Sequence, residues 1–103
     1  MAPIDTKLAL LQALVRGESY GLELIDRVRD LTGGQVTLLQ GRVYPMLREL
    51  EAEGLATSYD GDPLPERGGR PRRYYRLTAA GHRAARAQAR ALIGLLVPTL
   101  EIG

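Results

Sequence analysis

Gln40-Gly41-Arg42-Val43-Tyr44-Pro45-Met46-Leu47-Arg48-Glu49-Leu50-Glu51-Ala52-Glu53-Gly54 is the stretch on which the fold turns. Val43, Met46, Leu47 and Leu50 recur at helical spacing, which predicts a helix from about Gln40 to Glu53 with Gly54 beyond its end. Pro45 fits that helix only near the start, where backbone N–H groups have no intrahelical partner. With the apolar stripe turned inward, Gly41, Arg42, Tyr44, Pro45 and Arg48 occupy exposed or flanking positions near the N-terminus. That end carries free N–H groups and the positive pole of the helix dipole, both favourable to phosphate. Together with Gln40 these are the candidate contact residues. The acids Glu49, Glu51 and Glu53 lie toward the other end, as docking in an anionic groove requires.

Upstream, Ile4, Leu8, Leu11, Leu14 and Val15 mark a first helix, with Asp5 as its cap and Gly17 as its stop. Leu24, Ile25, Val28 and Leu31 mark a second, entered through Ser19, Tyr20 and Gly21 and ended by Gly33-Gly34. Glu23 and Arg27 form an i,i+4 pair on its wet side. Val36 to Leu39 reads as a short β-prone stretch.

Downstream, Leu55 to Tyr59 and Arg72 to Leu77 are rich in aromatic and β-branched residues and flank a Gly/Pro/Arg segment. They predict a hairpin with a long tip, Asp60 to Pro71. Alternation turns Tyr75 and Leu77 toward the core and Tyr74 away from it. Thr78 is positioned to cap a fourth helix, Ala- and Arg-rich through Arg90, then apolar over Leu92, Ile93, Leu95, Leu96 and Val97, and ending near Pro98. A terminal helix apolar on several sides buries itself against a second subunit. The small residues Ala84 and Ala91 allow two helices to approach closely, so Leu8, Leu11, Ala84, Ala91, Leu92, Leu95 and Leu96 are the expected dimerisation residues.

The order helix, helix, short strand, helix, hairpin, helix predicts a mainly α fold with a small β-hairpin. It divides into a winged helix-turn-helix unit, residues 1–77, and a C-terminal dimerisation helix, residues 78–103. In that architecture the third helix enters the major groove and the hairpin tip reaches the backbone or minor groove.

Charge is distributed accordingly. The first 66 residues carry 6 basic and 11 acidic side chains, whereas residues 67–90 carry eight Arg and no acid. Thirteen of the 14 basic residues are Arg, whose planar fork suits phosphate. Arg83, Arg86 and Arg90 recur at helical spacing and read as a solvated helix face.

The 103 residues, 45% hydrophobic, suffice for one core, and no apolar run approaches the ~20 residues of a membrane span. With no Cys and a single His82, disulfides, thiol nucleophiles and zinc sites have no ligands to build on. No paired acid and base or activated nucleophile is visible, so catalysis, metal and cofactor are not expected. The N-terminus lacks a signal-peptide pattern, and a cytoplasmic location is expected.

Three ordered stretches carry a resemblance: Ser19-Tyr20-Gly21-Leu22-Glu23-Leu24-Ile25, Gly41 to Leu55, and Gly69-Arg70-Pro71-Arg72-Arg73-Tyr74-Tyr75-Arg76-Leu77-Thr78-Ala79-Ala80-Gly81. Over about residues 5 to 97 the chain resembles the PadR family of bacterial transcriptional regulators. The resemblance implies a homodimeric winged-helix repressor on a palindromic double-stranded DNA operator. Such repressors are often released by a small hydrophobic or phenolic effector.

Carried over by position, Tyr20 looks like a phosphate-contacting tyrosine and Tyr44 like the aromatic at the start of the recognition helix. Without the family, both read as core-edge residues with a wet hydroxyl. Arg67, Arg70, Arg72 and Arg73 match the basic wing. Arg42 stands where the family commonly has a small hydroxyl residue, and both a guanine edge and a phosphate suit it. The chain has no Trp or Phe for an aromatic drug site, though Leu11, Leu92 and Leu96 would line an apolar one. A repressor without an inducer stays open, as does a winged helix used as a protein-interaction module.

Overall fold

The computed structural model describes residues 5–102, with side chains described through Leu96. Ile4 and the side chain of Val97 lie outside the described residues. The elements are α1 (Thr6–Val15), α2 (Gly21–Leu31), α3 (Gln40–Ala52), β1 (Ala56–Pro63), a 3-10 turn (Pro65–Arg67), β2 (Pro71–Leu77) and α4 (Ala79–Ile102). Three helices, a two-stranded antiparallel wing and a long C-terminal helix result, as the sequence predicts.

Helix boundaries follow local chemistry. The Asp5 carboxylate accepts from the Lys7 N–H at 3.0 Å and caps α1. Thr78 does the same for α4, its Oγ1 accepting from the Gly81 N–H at 3.0 Å while donating to the Gly54 carbonyl at 2.6 Å. The stripe of α3 is inward as expected, with Val43, Leu47 and Leu50 fully buried.

Several expectations are corrected. Leu10 and Ala13, outside the α1 stripe, are buried, because α1 is central and packs on α2, α3, β2 and α4 at once; Val15 is exposed. Residues 36–39 form no strand. Val36 and Leu38 instead bury their side chains, and the third strand position beside β2 is taken by Ser19, paired with Tyr75 through two backbone bonds of 3.0 and 2.8 Å. The wing strands run closer to the tip than predicted, because a bulge between Asp60 and Pro63 absorbs Gly61 and Asp62 and lets pairing resume at Pro63 and Pro71.

Pro45 lies past the first turn of α3, and α4 continues through Pro98. Each proline has an exposed glycine four residues earlier, Gly41 or Gly94, so the carbonyl that loses its hydrogen-bond donor belongs to a residue open to solvent.

The first turns of α4 pack on α1, where Ala85 is buried and its carbonyl accepts from Gln12 Nε2 at 2.7 Å. From residue 91 to Leu96 the helix is exposed, including Leu92, Ile93, Leu95 and Leu96. Leu11, expected at a subunit interface, is 1% exposed and belongs to this chain's own core.

Candidate nucleic-acid interface

The start of α3 has no side-chain cap, and Arg42 and Val43 both donate to the Leu39 carbonyl, at 2.9 and 3.0 Å. Gln40, Gly41, Arg42, Pro45 and Arg48 are exposed. An open groove of about 510 Å³ runs between the starts of α1 and α3, lined by Asp5, Thr6, Gly41, Arg42, Pro45, Met46 and Glu49. The acids farther along α3 are engaged within the fold: Ser58 donates to Glu51 at 2.6 Å, and Glu53 pairs with Lys7 at 2.7 Å. The Glu53 carboxylate holds Lys7 protonated above the ordinary lysine range.

Tyr44 is half-buried. Its ring lies against Gly21 at the start of α2, so close that a Cβ there would fall 2.6 Å from a ring carbon. Tyr20, at the N-cap of α2, is half-buried and receives the Arg72 guanidinium 4.6 Å from its ring centroid. Residues predicted from three separate segments therefore meet around the start of α2.

The wing arginines differ from one another. Arg73 is paired with Asp60 at 2.9 Å and donates to Ser58 at 3.1 Å; the Asp60 hydrogen bond strengthens its hold on its proton. At the tip, Gly68 and Gly69 adopt φ of +67° and +83°, and Arg70 Nε donates to the Arg67 carbonyl at 2.9 Å. Arg67 is half-buried, its Nε–H buried without an acceptor among the described residues. Among those residues, Arg42, Arg48, Arg67, Arg70 and Arg72 make no ion pair, whereas Arg27, Arg29 and Arg73 do.

Several contributors escaped the sequence reading. Arg27 pairs with Glu23 as expected, but its guanidinium also caps α1 by donating to the carbonyls of Ala13 at 3.0 Å and Gly17 at 2.8 Å. Tyr59 stacks on Tyr74 and donates to Glu18. Strand pairing of Tyr59 with Tyr74 would have signalled the stack, but the hairpin register was not legible.

An apolar cleft of about 150 Å³ opens between α1, α2 and Val36, lined by residues including Leu8, Ala13, Val28 and Leu31. It is smaller than the ~300 Å³ at which small-molecule pockets begin. Leu92 and Leu96 do not line it.

Three helices, a wing and a trailing helix, with unpaired arginines at the start of α3 and on the wing, define a winged helix-turn-helix protein. The chain belongs to the PadR-like family of transcriptional regulators, whose family model matches residues 10–87. That family is one of regulators rather than enzymes. A stretch of 53 residues is 38% identical to the transcriptional regulator YqjI of Escherichia coli (strain K12), covering 52% of this chain and 26% of YqjI. The chain thus spans about a quarter of the length of the curated relatives it matches.

Among solved structures, a transcriptional regulator from Clostridium thermocellum superposes with a TM-score of 0.75 at 24% identity, covering 93% of this chain and 86% of that one. Bacillus subtilis PadR, solved in complex with operator DNA, superposes at 0.71 with 22% identity, covering 85% of this chain and 48% of that one. Both likenesses establish the fold. Among the described residues no group of three or more His, Cys, Asp or Glu is disposed to hold a metal, and no helix is long and apolar enough to cross a membrane.

Proposed function

We propose that this protein is a homodimeric, sequence-specific DNA-binding repressor acting in the cytoplasm on a palindromic operator. The observation that carries the reading is the set of arginines without ion pairs among the described residues on α3 and the wing, one of which, Arg72, lies over Tyr20 at the start of α2 beside the Tyr44–Gly21 contact. The solved complex of Bacillus subtilis PadR with operator DNA supports it by kinship.

In this reading Gln40, Gly41, Arg42, Pro45 and Arg48 enter the major groove, the bare N–H groups at the start of α3 facing a phosphate. Tyr44 holds α3 against α2 through Gly21, and the open edge of its half-buried ring meets the DNA backbone. The Tyr20 hydroxyl and the Arg72 guanidinium meet one backbone strand, and Arg67 and Arg70 meet the phosphates at the wing tip. A phosphate there would also supply the acceptor that Arg67 Nε lacks. Arg73 contributes less, because Asp60 already holds it.

Residues 1–77 form the DNA-binding unit and residues 78–103 the dimerisation helix, anchored by its first turns on α1. Ala84, Ala91, Leu92, Leu95 and Leu96 of α4, with Leu8 of α1, meet the second subunit. A small hydrophobic effector acts in the assembled dimer if there is one, since the cleft within one chain is too small to enclose it.

The test is binding of the purified protein to DNA from immediately upstream of its own gene, against a scrambled duplex, in low and near-physiological salt. Binding to the upstream duplex that survives added salt, with collapse on the scrambled one, is expected. Equal, salt-sensitive binding to both, repeated with duplexes selected from a randomised pool, would overturn the reading in favour of a protein-interaction module.

A further inference from the structure

The solvent side of the wing carries a row of tyrosines that crosses three segments of the chain. Tyr59 on β1 and Tyr74 on β2 are paired in register, with rings stacked at a centroid distance of 5.5 Å and 15° between planes. Tyr20, on the segment whose Ser19 pairs with Tyr75, meets Tyr74 edge-on at 5.5 Å and 78°. Arg72 lies over the Tyr20 ring, and Tyr59 donates to Glu18 at the far end of the row. Gly61 makes room for Tyr74: a Cβ there would fall 2.7 Å from its ring.

This row lies outside the hydrophobic core. Tyr59 is 43% exposed and Tyr74 half-buried, while Tyr75, on the opposite face of β2, fills the core. A two-stranded hairpin is marginal alone. Beyond the Ser19–Tyr75 backbone bonds at its base, the tyrosine row ties both wing strands to the start of α2. From there contact continues into α3, because Gly21 follows Tyr20 directly and is covered by the Tyr44 ring. One chain of contacts thus runs Tyr59, Tyr74, Tyr20, Gly21, Tyr44, from the wing to the helix bearing Arg42 and Arg48.

We propose that Tyr74 is a positioning residue for DNA binding: through Tyr20 and Arg72 it sets the angle between wing and α3. That angle fixes how far the phosphates met by Arg67 and Arg70 lie from the base edges met by α3. The proposal rests on the DNA-binding reading above. Tyr74 itself touches no DNA, and its ring matters rather than its hydroxyl.

The experiment compares wild type, Tyr74→Phe and Tyr74→Ala on a duplex selected by the wild-type protein from a randomised pool. It measures affinity against salt and the hydroxyl-radical footprint, with thermal unfolding as a check on folding. Tyr74→Phe should match wild type. Tyr74→Ala should lose about tenfold in affinity and about one unit of salt slope, because wing phosphate contacts go out of register. Its footprint should fade on the flanks and persist at the centre. If Tyr74→Ala does not fold, Tyr74→Leu replaces it with the same expectation.

A folded variant with the wild-type slope and footprint would overturn the proposal. So would a uniform loss at centre and flanks with an unchanged slope, which marks a merely structural role. Failure of the wild-type protein to select any duplex would overturn the DNA-binding reading itself, and this proposal with it. The ring contact is read separately in free protein, where the Arg72 side-chain protons should shift upfield under the Tyr20 ring and lose that shift in Tyr20→Leu.

Discussion

A Cβ at Gly81 would fall 1.9 Å from the carbonyl oxygen of Leu55. The two residues are locked there by neighbours: Thr78 N–H donates to that carbonyl at 3.0 Å, and Thr78 Oγ1 bridges the Gly54 carbonyl and the Gly81 N–H. The start of α4 is thereby sewn to the end of α3 and the base of the wing, through backbone atoms that cannot step aside.

Gly81→Ala should therefore destabilise the protein by about 2–4 kcal/mol despite the better helix propensity of alanine. Gly94→Ala, in the same helix with nothing within 4 Å of the added Cβ, should be neutral or stabilising by up to about 1 kcal/mol. Thermal unfolding of the pair decides it, and similar midpoints would refute the close contact at position 81.

Arg42 and Arg70 should separate specificity from affinity. Arg42→Ala is expected to relax base preference with modest loss of affinity, whereas Arg70→Ala should weaken all duplexes alike and lower the salt slope by about one. Matching profiles across a panel of operator variants would sink the distinction.

Asp60→Asn removes the carboxylate that holds Arg73. Released toward the phosphates, Arg73 should tighten binding to every duplex and raise the salt slope by up to about one. An unchanged slope in a salt titration would mean that Arg73 does not reach DNA.

Leu92→Asp combined with Leu96→Asp places charge on the exposed apolar half of α4, at residues that are not part of the buried core. Monomers with an unaltered helical content are expected by sedimentation and circular dichroism. A dimer of undiminished stability would show that this helix is not the interface.

What the sequence determined by itself was whatever depends on near neighbours. The stripe of Val43, Leu47 and Leu50, the caps at Asp5 and Thr78, and the opposite faces of Tyr74 and Tyr75 all follow from a 3.6- or 2-residue period and from side chains bonding backbone two or three residues away. The family motifs and the arginine block pointed from there to the class of protein. Only the tertiary structure decided partners far apart in the chain. It placed Arg72 over Tyr20, Tyr44 against Gly21 and Arg27 on the carbonyls of Ala13 and Gly17. It also drew Leu11 into the core and left residues 36–39 without a strand partner. Periodicity reports which face a side chain takes, while its neighbour on that face is set by how helices and wing pack, a relation the local pattern does not encode.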